Sequence, residues 1–163
     1  MGKQGMNLFI VDDNKLIVSD LKIFLNHKFG NDLNISTFND GESCLAKVDK
    51  DTDIVILDYF LNGKNGTEVL KEIKNKNPNT EVIMLSSNDD IASAIESFRG
   101  GAKDYVIKGQ GALSKISKIV YQIITEPIRI IVREFGVSKY VAIFFLIFVV
   151  MGISIAFALN AFK

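Results

Sequence analysis

Residues 53–58 read DIVILD, an unbroken apolar run from Ile54 to Leu57 closed at each end by an aspartate. A strand with one wet face alternates apolar and polar residues. A continuous run carries apolar side chains on both faces and needs cover on both. Two other stretches have the same build: NLFIV (7–11), which ends in Asp12 and Asp13, and EVIML (81–85), which ends in Ser86. Shorter strand-like stretches stand at 35–38 and 104–107, the second followed by Lys108. Helical spacing fills the gaps. Leu16, Leu21, Phe24, Leu25 and Phe29 mark a helix from Lys15 to Phe29 with Gly30 as its stop. After the Asn39-Asp40-Gly41 turn, Glu42 to Val48 reads as a short helix. Further helices are predicted from Thr67 to about Lys76, from about Asp89 to Phe98, and from near Ala112 to about Thr125. Strands alternating with helices of this size predict an α/β fold, a doubly wound parallel sheet covered on both faces.

In such sheets ligands bind beyond the carboxyl ends of the strands. Asp12, Asp13, Asp58, Ser86 and Lys108 each follow a predicted strand, so a parallel sheet brings all of them to one edge. Three carboxylates in a partly desolvated pocket repel one another unless a cation neutralises them. Mg²⁺ suits oxygen ligands and keeps positions for water and phosphate. A cation, an ammonium, a hydroxyl and a carboxylate nucleophile are the parts of phosphoryl transfer to an aspartate.

These residues, with Gly66 closing the loop after Asp58, FNDGESCL (38–45) and GGAKDYVIKG (100–109), resemble the receiver domain of bacterial two-component response regulators over about residues 6–125. The resemblance implies a flavodoxin-like sheet of five parallel strands in order 2-1-3-4-5. It implies Asp58 as phosphoacceptor, with a sensor histidine kinase or phosphotransfer protein as donor. Asp12, Asp13, Asp58 and the backbone carbonyl of Phe60 are then the Mg²⁺ ligands. Lys108 and Ser86 bind phosphoryl oxygens, and Tyr105 is the aromatic switch that follows Ser86. It implies a phosphoacceptor signalling domain, not an enzyme, limited to self-phosphorylation and autodephosphorylation. The chain departs from the family pattern at four places. Gly109 stands where a proline usually follows the lysine, and Asn62 where proline is common. Ser87 replaces a frequent alanine, and apolar Phe60 stands where a polar side chain often orients the hydrolytic water. Phe60 is expected to slow autodephosphorylation.

The formal net charge of the 163 residues is zero, but it is uneven. Residues 1–125 carry a net −2 and residues 126–163 a net +2. From Tyr140 to Phe162 the chain is almost wholly apolar, with Ser154 and Asn160 its plainly polar members. At ~1.5 Å per residue this run spans ~34 Å, enough for a ~30 Å hydrocarbon core. The reading is therefore a receiver domain (1–125), a linker or interfacial helix (126–138) and a transmembrane anchor (139–163). Arg129, Arg133 and Lys139 precede the span and place the receiver on the cytoplasmic side of a single-pass membrane protein. Ile128, Ile131, Val132 and Phe135 share a stripe beside two arginines, which fits a helix lying on anionic lipid. A continuous rod kinked at Pro127 is the competing expectation. Gly152 and Ala156 form a small-xxx-small pair of the kind that joins helices into a homodimer.

The single cysteine, Cys44, excludes an intrachain disulfide, and the first residues lack a secretory signal and the myristoylation pattern. The segment after Lys108 has room for one covering helix and an anchor, not for a helix-turn-helix module, so no nucleic acid is expected. Output is expected through an as yet unknown partner protein that reads the face near Tyr105. Two rival readings are a phosphate sink or scaffold without dedicated output, and a phosphatase with Asp58 as nucleophile. The second lacks an acid-base carboxylate two residues on, because Phe60 stands there.

Overall fold

The computed structural model describes residues 5–87, 89–134, 143–144 and 146–151, with only the backbone of 127–134. Among the described residues up to Glu134, strands and α-helices alternate: β1 (Met6–Val11), α1 (Lys15–Phe29), β2 (Leu33–Phe38), α2 (Gly41–Leu45), β3 (Thr52–Asp58), α3 (Gly66–Lys76), β4 (Glu81–Ser86), α4 (Ile91–Arg99), β5 (Asp104–Ile107) and α5 (Ala112–Glu134). The five strands are all parallel and ordered β2-β1-β3-β4-β5. This is the expected order. The apolar runs form the three inner strands β1, β3 and β4, which explains why they lack alternation. β2 is an edge strand, and its LNISTF sequence is buried only at Leu33 and otherwise partly or fully exposed.

Side chains on neighbouring strand positions go to opposite faces. Phe9, Val11, Val55, Leu57, Val82 and Met84 join a core with Cys44 and Leu45 of α2 and Val69, Leu70 and Ile73 of α3. Leu8, Ile10, Ile54, Ile56 and Ile83 are fully buried at the intervening positions. Leu85, also buried, lines one cavity with Leu21 of α1 and Ile116 of α5. Each such side chain contributes about 1.5–3 kcal/mol of burial. Cys44 packs as a small apolar residue. Burial pushes its thiol up to about 12, which keeps it neutral.

The helices after the first four strands start on a polar cap. Asn14, Asp40, Asn65 and Asp90 accept backbone N–H groups of the first turns of α1, α2, α3 and α4. These caps stand at the carboxyl edge of the sheet and fix how each loop leaves its strand. At the opposite edge, Asn77 Nδ2 donates to the carbonyls of Asp49 (3.1 Å) and Thr52 (3.2 Å). Thr80 Oγ1 donates to the Thr52 carbonyl at 2.8 Å.

The last helix corrects one boundary. α5 does not stop near Thr125 but runs on through Pro127 to Glu134. Proline lacks the N–H for one ladder bond, and the turns on either side hold the helix across that gap. As far as Glu134 the chain is therefore a continuous helix across Pro127, as in the competing expectation, and not a break followed by a separate helix. The chain divides into compact units at 1–122 and 123–163. Of the second, residues 143–144 and 146–151 are helical, and their apolar side chains are more than half exposed, from Ile143 to Met151. Among the described residues no helix is long and apolar enough to cross a membrane. The expected span ends Tyr140 and Phe162, and the Gly152/Ala156 pair, lie outside the described residues.

Candidate functional site

β1 delivers Asp12 and Asp13 just past its last residue, β3 ends on Asp58, β4 ends on Ser86, and Lys108 follows β5. Because the strands are parallel, all five arrive at one edge. One oxygen from each of Asp12, Asp13 and Asp58 lies within 4.8 Å of the others. Asp12 and Asp58 are 1% and 3% exposed, while Asp13 is exposed. Lys108 Nζ donates to Asp58 Oδ2 at 2.8 Å. It also lies 2.8 Å from Asp12 Oδ2, as an ion pair without hydrogen-bond alignment. Asp12 Oδ1 accepts the Asn14 N–H at 2.9 Å, and Asp58 Oδ1 accepts the Phe60 N–H at 3.3 Å.

One ammonium faces three carboxylates, so the site holds excess negative charge in a partly desolvated place. Burial holds the Asp58 carboxyl above the usual carboxylate range; the Asp12 charge adds to this, while the Lys108 bond and charge and the Phe60 N–H oppose it. Burial alone would lower the Lys108 ammonium, but its contacts with Asp12 and Asp58 outweigh that and raise it. Asp12 Oδ2 is buried without an aligned donor. A hard divalent cation with oxygen ligands would satisfy that oxygen and relieve the repulsion. The donor set therefore fits Mg²⁺.

Ser86 is fully buried, and its carbonyl accepts the Lys108 N–H at 2.7 Å, which seats the lysine beside the end of β4. Tyr105 is buried on β5, its ring edge-on to Tyr59 with centroids 6.5 Å apart. Phe60 is half exposed and meets Tyr59 edge-on at 4.8 Å. The loop after Lys108 is built from Gly109 and Gly111, with φ of +140° and +90°, on trans peptides. With glycine at 109, a positive φ and trans peptides, this loop departs from the proline pattern of the family.

Three residues make contacts at the site that the sequence did not reveal. Asn62 Nδ2 donates to Asp13 Oδ2 at 2.5 Å. The Tyr59 phenol lies 3.4 Å from Glu96 Oε2 of α4 and ties the end of β3 to that helix. Gly66 presses its Cα against the backbone of Asp58 and Tyr59, where a Cβ would lie 2.3 Å from the Asp58 carbonyl oxygen.

The family model "Response regulator receiver domain" matches residues 8–120. Among curated proteins, sensory transduction protein RegX3 of Mycobacterium tuberculosis is 33% identical over 114 residues, 69% of this chain and 48% of that protein. The transcriptional regulatory protein CpxR of Klebsiella pneumoniae is 33% identical over 101 residues, 62% of this chain and 42% of that protein. This chain spans less than half the length of these curated relatives. Among solved structures, response regulator DrrB, a Thermotoga maritima OmpR/PhoB homologue, superposes with a TM-score of 0.66 at 28% identity, covering 76% of this chain and 54% of that one. The CheX–CheY–BeF₃–Mg²⁺ complex of Borrelia burgdorferi gives 0.65 at 27%, covering 72% and 88%. Receiver domains bind Mg²⁺ at an acidic pocket, and the Asp12, Asp13 and Asp58 cluster fits that use. With its matched stretch covering most of the sequence, the chain belongs to the response regulator receiver domain family of two-component systems, whose members accept a phosphoryl group on an aspartate.

Proposed function

We propose that this chain is a membrane-anchored receiver that takes up a phosphoryl group on Asp58 and signals through a phosphorylation-dependent protein contact. The observation that carries this is Lys108 Nζ placed 2.8 Å from both Asp58 Oδ2 and Asp12 Oδ2, inside a three-carboxylate cluster. Mg²⁺ held by Asp12, Asp13, Asp58 and the Phe60 carbonyl would neutralise charge on the incoming phosphoryl group. An Asp58 oxygen attacks phosphorus of a phosphohistidine, the P–N bond breaks, and the departing imidazole takes up a proton. Lys108 then moves its bond from the carboxylate to a phosphoryl oxygen, and Ser86 supplies a hydroxyl donor to another. Tyr105 follows Ser86 as the switch. The domain turns over no substrate of its own, so it acts as a phosphoacceptor and not as an enzyme.

Exposed Ile91, Ile95 and Phe98 form a stripe on α4, with exposed Ile107 on β5. We assign this face to the output partner. The transcriptional role in the names of CpxR and other relatives belongs to longer proteins. For this chain a protein surface, not DNA, is the proposed target.

The apolar run 140–162 supports the anchor, as do the exposed apolar side chains of its described helical residues. The basic flank keeps the receiver in the cytoplasm, with the span crossing the cytoplasmic membrane once. Labelling with radioactive acetyl phosphate tests the chemistry: the parent takes up label with Mg²⁺ and Asp58→Asn does not. Label in Asp58→Asn at the parent level defeats the proposal. Fractionation of cells expressing the chain with and without residues 139–163 tests the anchor, and a truncated form that still pellets with membranes defeats it.

A further inference from the structure

Asn62 stands in the loop between β3 and α3, where its side-chain Nδ2 donates to Asp13 Oδ2 at 2.5 Å. An ionised carboxylate only accepts, so the amide faces it with nitrogen and adds no charge. The other two acids are held by different means. Asp12 and Asp58 are buried, and backbone N–H groups of Asn14 and Phe60 occupy their Oδ1 atoms. Asp13 is exposed, and among the described residues Asn62 is its hydrogen-bond donor.

That contact decides how Asp13 can ligate. With one lone pair of Oδ2 engaged, Oδ1 is the unencumbered oxygen of Asp13, and two-oxygen ligation must either use the remaining lone pair of Oδ2 against the pull of the amide or give up that hydrogen bond. Mg²⁺ takes single carboxylate oxygens in a tight octahedron at ~2.0–2.1 Å, whereas Ca²⁺ takes about 6–8 oxygens at ~2.3–2.6 Å and accepts both oxygens of one carboxylate. We infer that Asn62 is a specificity-determining positioning residue, which keeps Asp13 a one-oxygen ligand and so favours Mg²⁺ over Ca²⁺ at the acidic site. This rests on the reading that Asp12, Asp13 and Asp58 hold the divalent cation.

The test is calorimetric titration of Mg²⁺ and, separately, Ca²⁺ into the full chain in a non-ionic detergent, for the parent and Asn62→Ala. Circular dichroism checks that each form is folded. Removing an outer-shell partner of a metal ligand weakens binding by about 10–100-fold. Asn62→Ala is expected to weaken Mg²⁺ by about tenfold at least, while Ca²⁺ binding stays within about twofold because the released oxygen becomes available to it. The Mg²⁺/Ca²⁺ preference therefore falls. Asn62→Ser, whose hydroxyl is too short to reach Asp13, carries the same expectation and replaces the alanine variant if that one unfolds. A preference equal to the parent's overturns the inference, whether both cations weaken together or neither moves. A parent that binds neither cation overturns the reading of the acidic site itself, which is a separate outcome.

Discussion

Gly66→Ala puts one methyl group where the backbone of the phosphoacceptor strand already lies. The added Cβ would sit 2.3 Å from the Asp58 carbonyl oxygen, 2.8 Å from Tyr59 Cα and 2.9 Å from the Tyr59 carbonyl oxygen. Ordinary contact begins near 3.4 Å. Main-chain atoms cannot swing aside as a side-chain tip can. The end of β3 is also pinned on both sides, by Tyr59 N–H to the Leu85 carbonyl at 2.8 Å and Gly66 N–H to the Tyr59 carbonyl at 3.0 Å. The loop must therefore open by about 1 Å, with an overpacking cost of about 1–3 kcal/mol. Weakening the Gly66 N–H bond adds about 0.5–1.5 kcal/mol. Alanine's better helix propensity at the start of α3 returns up to about 1 kcal/mol. The net is a loss of about 0.5–4.5 kcal/mol, which at roughly 4 °C per kcal/mol lowers Tm by about 2–18 °C. The same shift moves Asp58 away from Lys108, and a displacement of about 1 Å at a reacting group costs about 100-fold in rate. Thermal melts followed by circular dichroism and the rate of labelling by acetyl phosphate give the two readouts. Gly30→Ala is the control. A Cβ there meets nothing within 4 Å, but φ +52° with ψ −123° lies outside the left-handed well, so the variant carries about 1–3 kcal/mol of backbone strain and a lower Tm, yet leaves labelling unchanged. A Gly66→Ala protein that melts and labels like the parent would refute the close-approach reasoning.

Three other expectations follow from individual side chains. Phe60→Asn should shorten the phosphoryl half-life by about 10-fold, below the ~10²–10⁴ of full general-base assistance, because an amide can order the attacking water; a longer-lived phosphoprotein counts against this. Asn77→Ala removes a donor from the Asp49 and Thr52 carbonyls, which keep the Thr52 N–H and the Thr80 hydroxyl, and should cost about 0.5–1.5 kcal/mol in urea unfolding at unchanged m-value, and an unchanged midpoint would show the contact to be idle. Hydrogen bonds from the Ala92 and Ser93 N–H groups and the Ser93 hydroxyl hold the Asp90 carboxyl below its usual range. Its cap on α4 therefore contributes fully above the unfolded value of ~3.9 and is lost as pH falls through the lower folded value. NMR of the first turn of α4 should show this loss in the parent and not in Asp90→Asn, whose amide caps without titrating; identical acid profiles would exclude it.

The sheet was legible because β1, β3 and β4 are inner strands, and two-sided burial writes itself as an unbroken apolar run. The acids, hydroxyl and ammonium were legible for the same reason: each directly follows such a run or the short β5, and parallel pairing does the rest. β2 was harder to delimit, since an edge strand reading LNISTF has little apolar signal. The sequence leaves the end of α5 open between a stop near Thr125 and a rod continuing through Pro127, and the helix takes the second course because the turns on both sides override the missing N–H. Asn62 gave no local sign of its role. Its partner Asp13 lies in the loop after another strand, and only the folded loops bring amide and carboxylate together. Gly66 was visible as a loop glycine, but the reason it must be glycine is a tertiary contact with Asp58 and Tyr59.

The site can be tested at its reacting atom. After exposure to acetyl phosphate, borohydride reduction converts an acyl-phosphorylated aspartate to homoserine, and peptide mass spectrometry then locates it. Conversion at residue 58 that disappears when Mg²⁺ is chelated is the predicted result. Conversion at a different acid, or at residue 58 to the same extent without a divalent cation, would contradict the account.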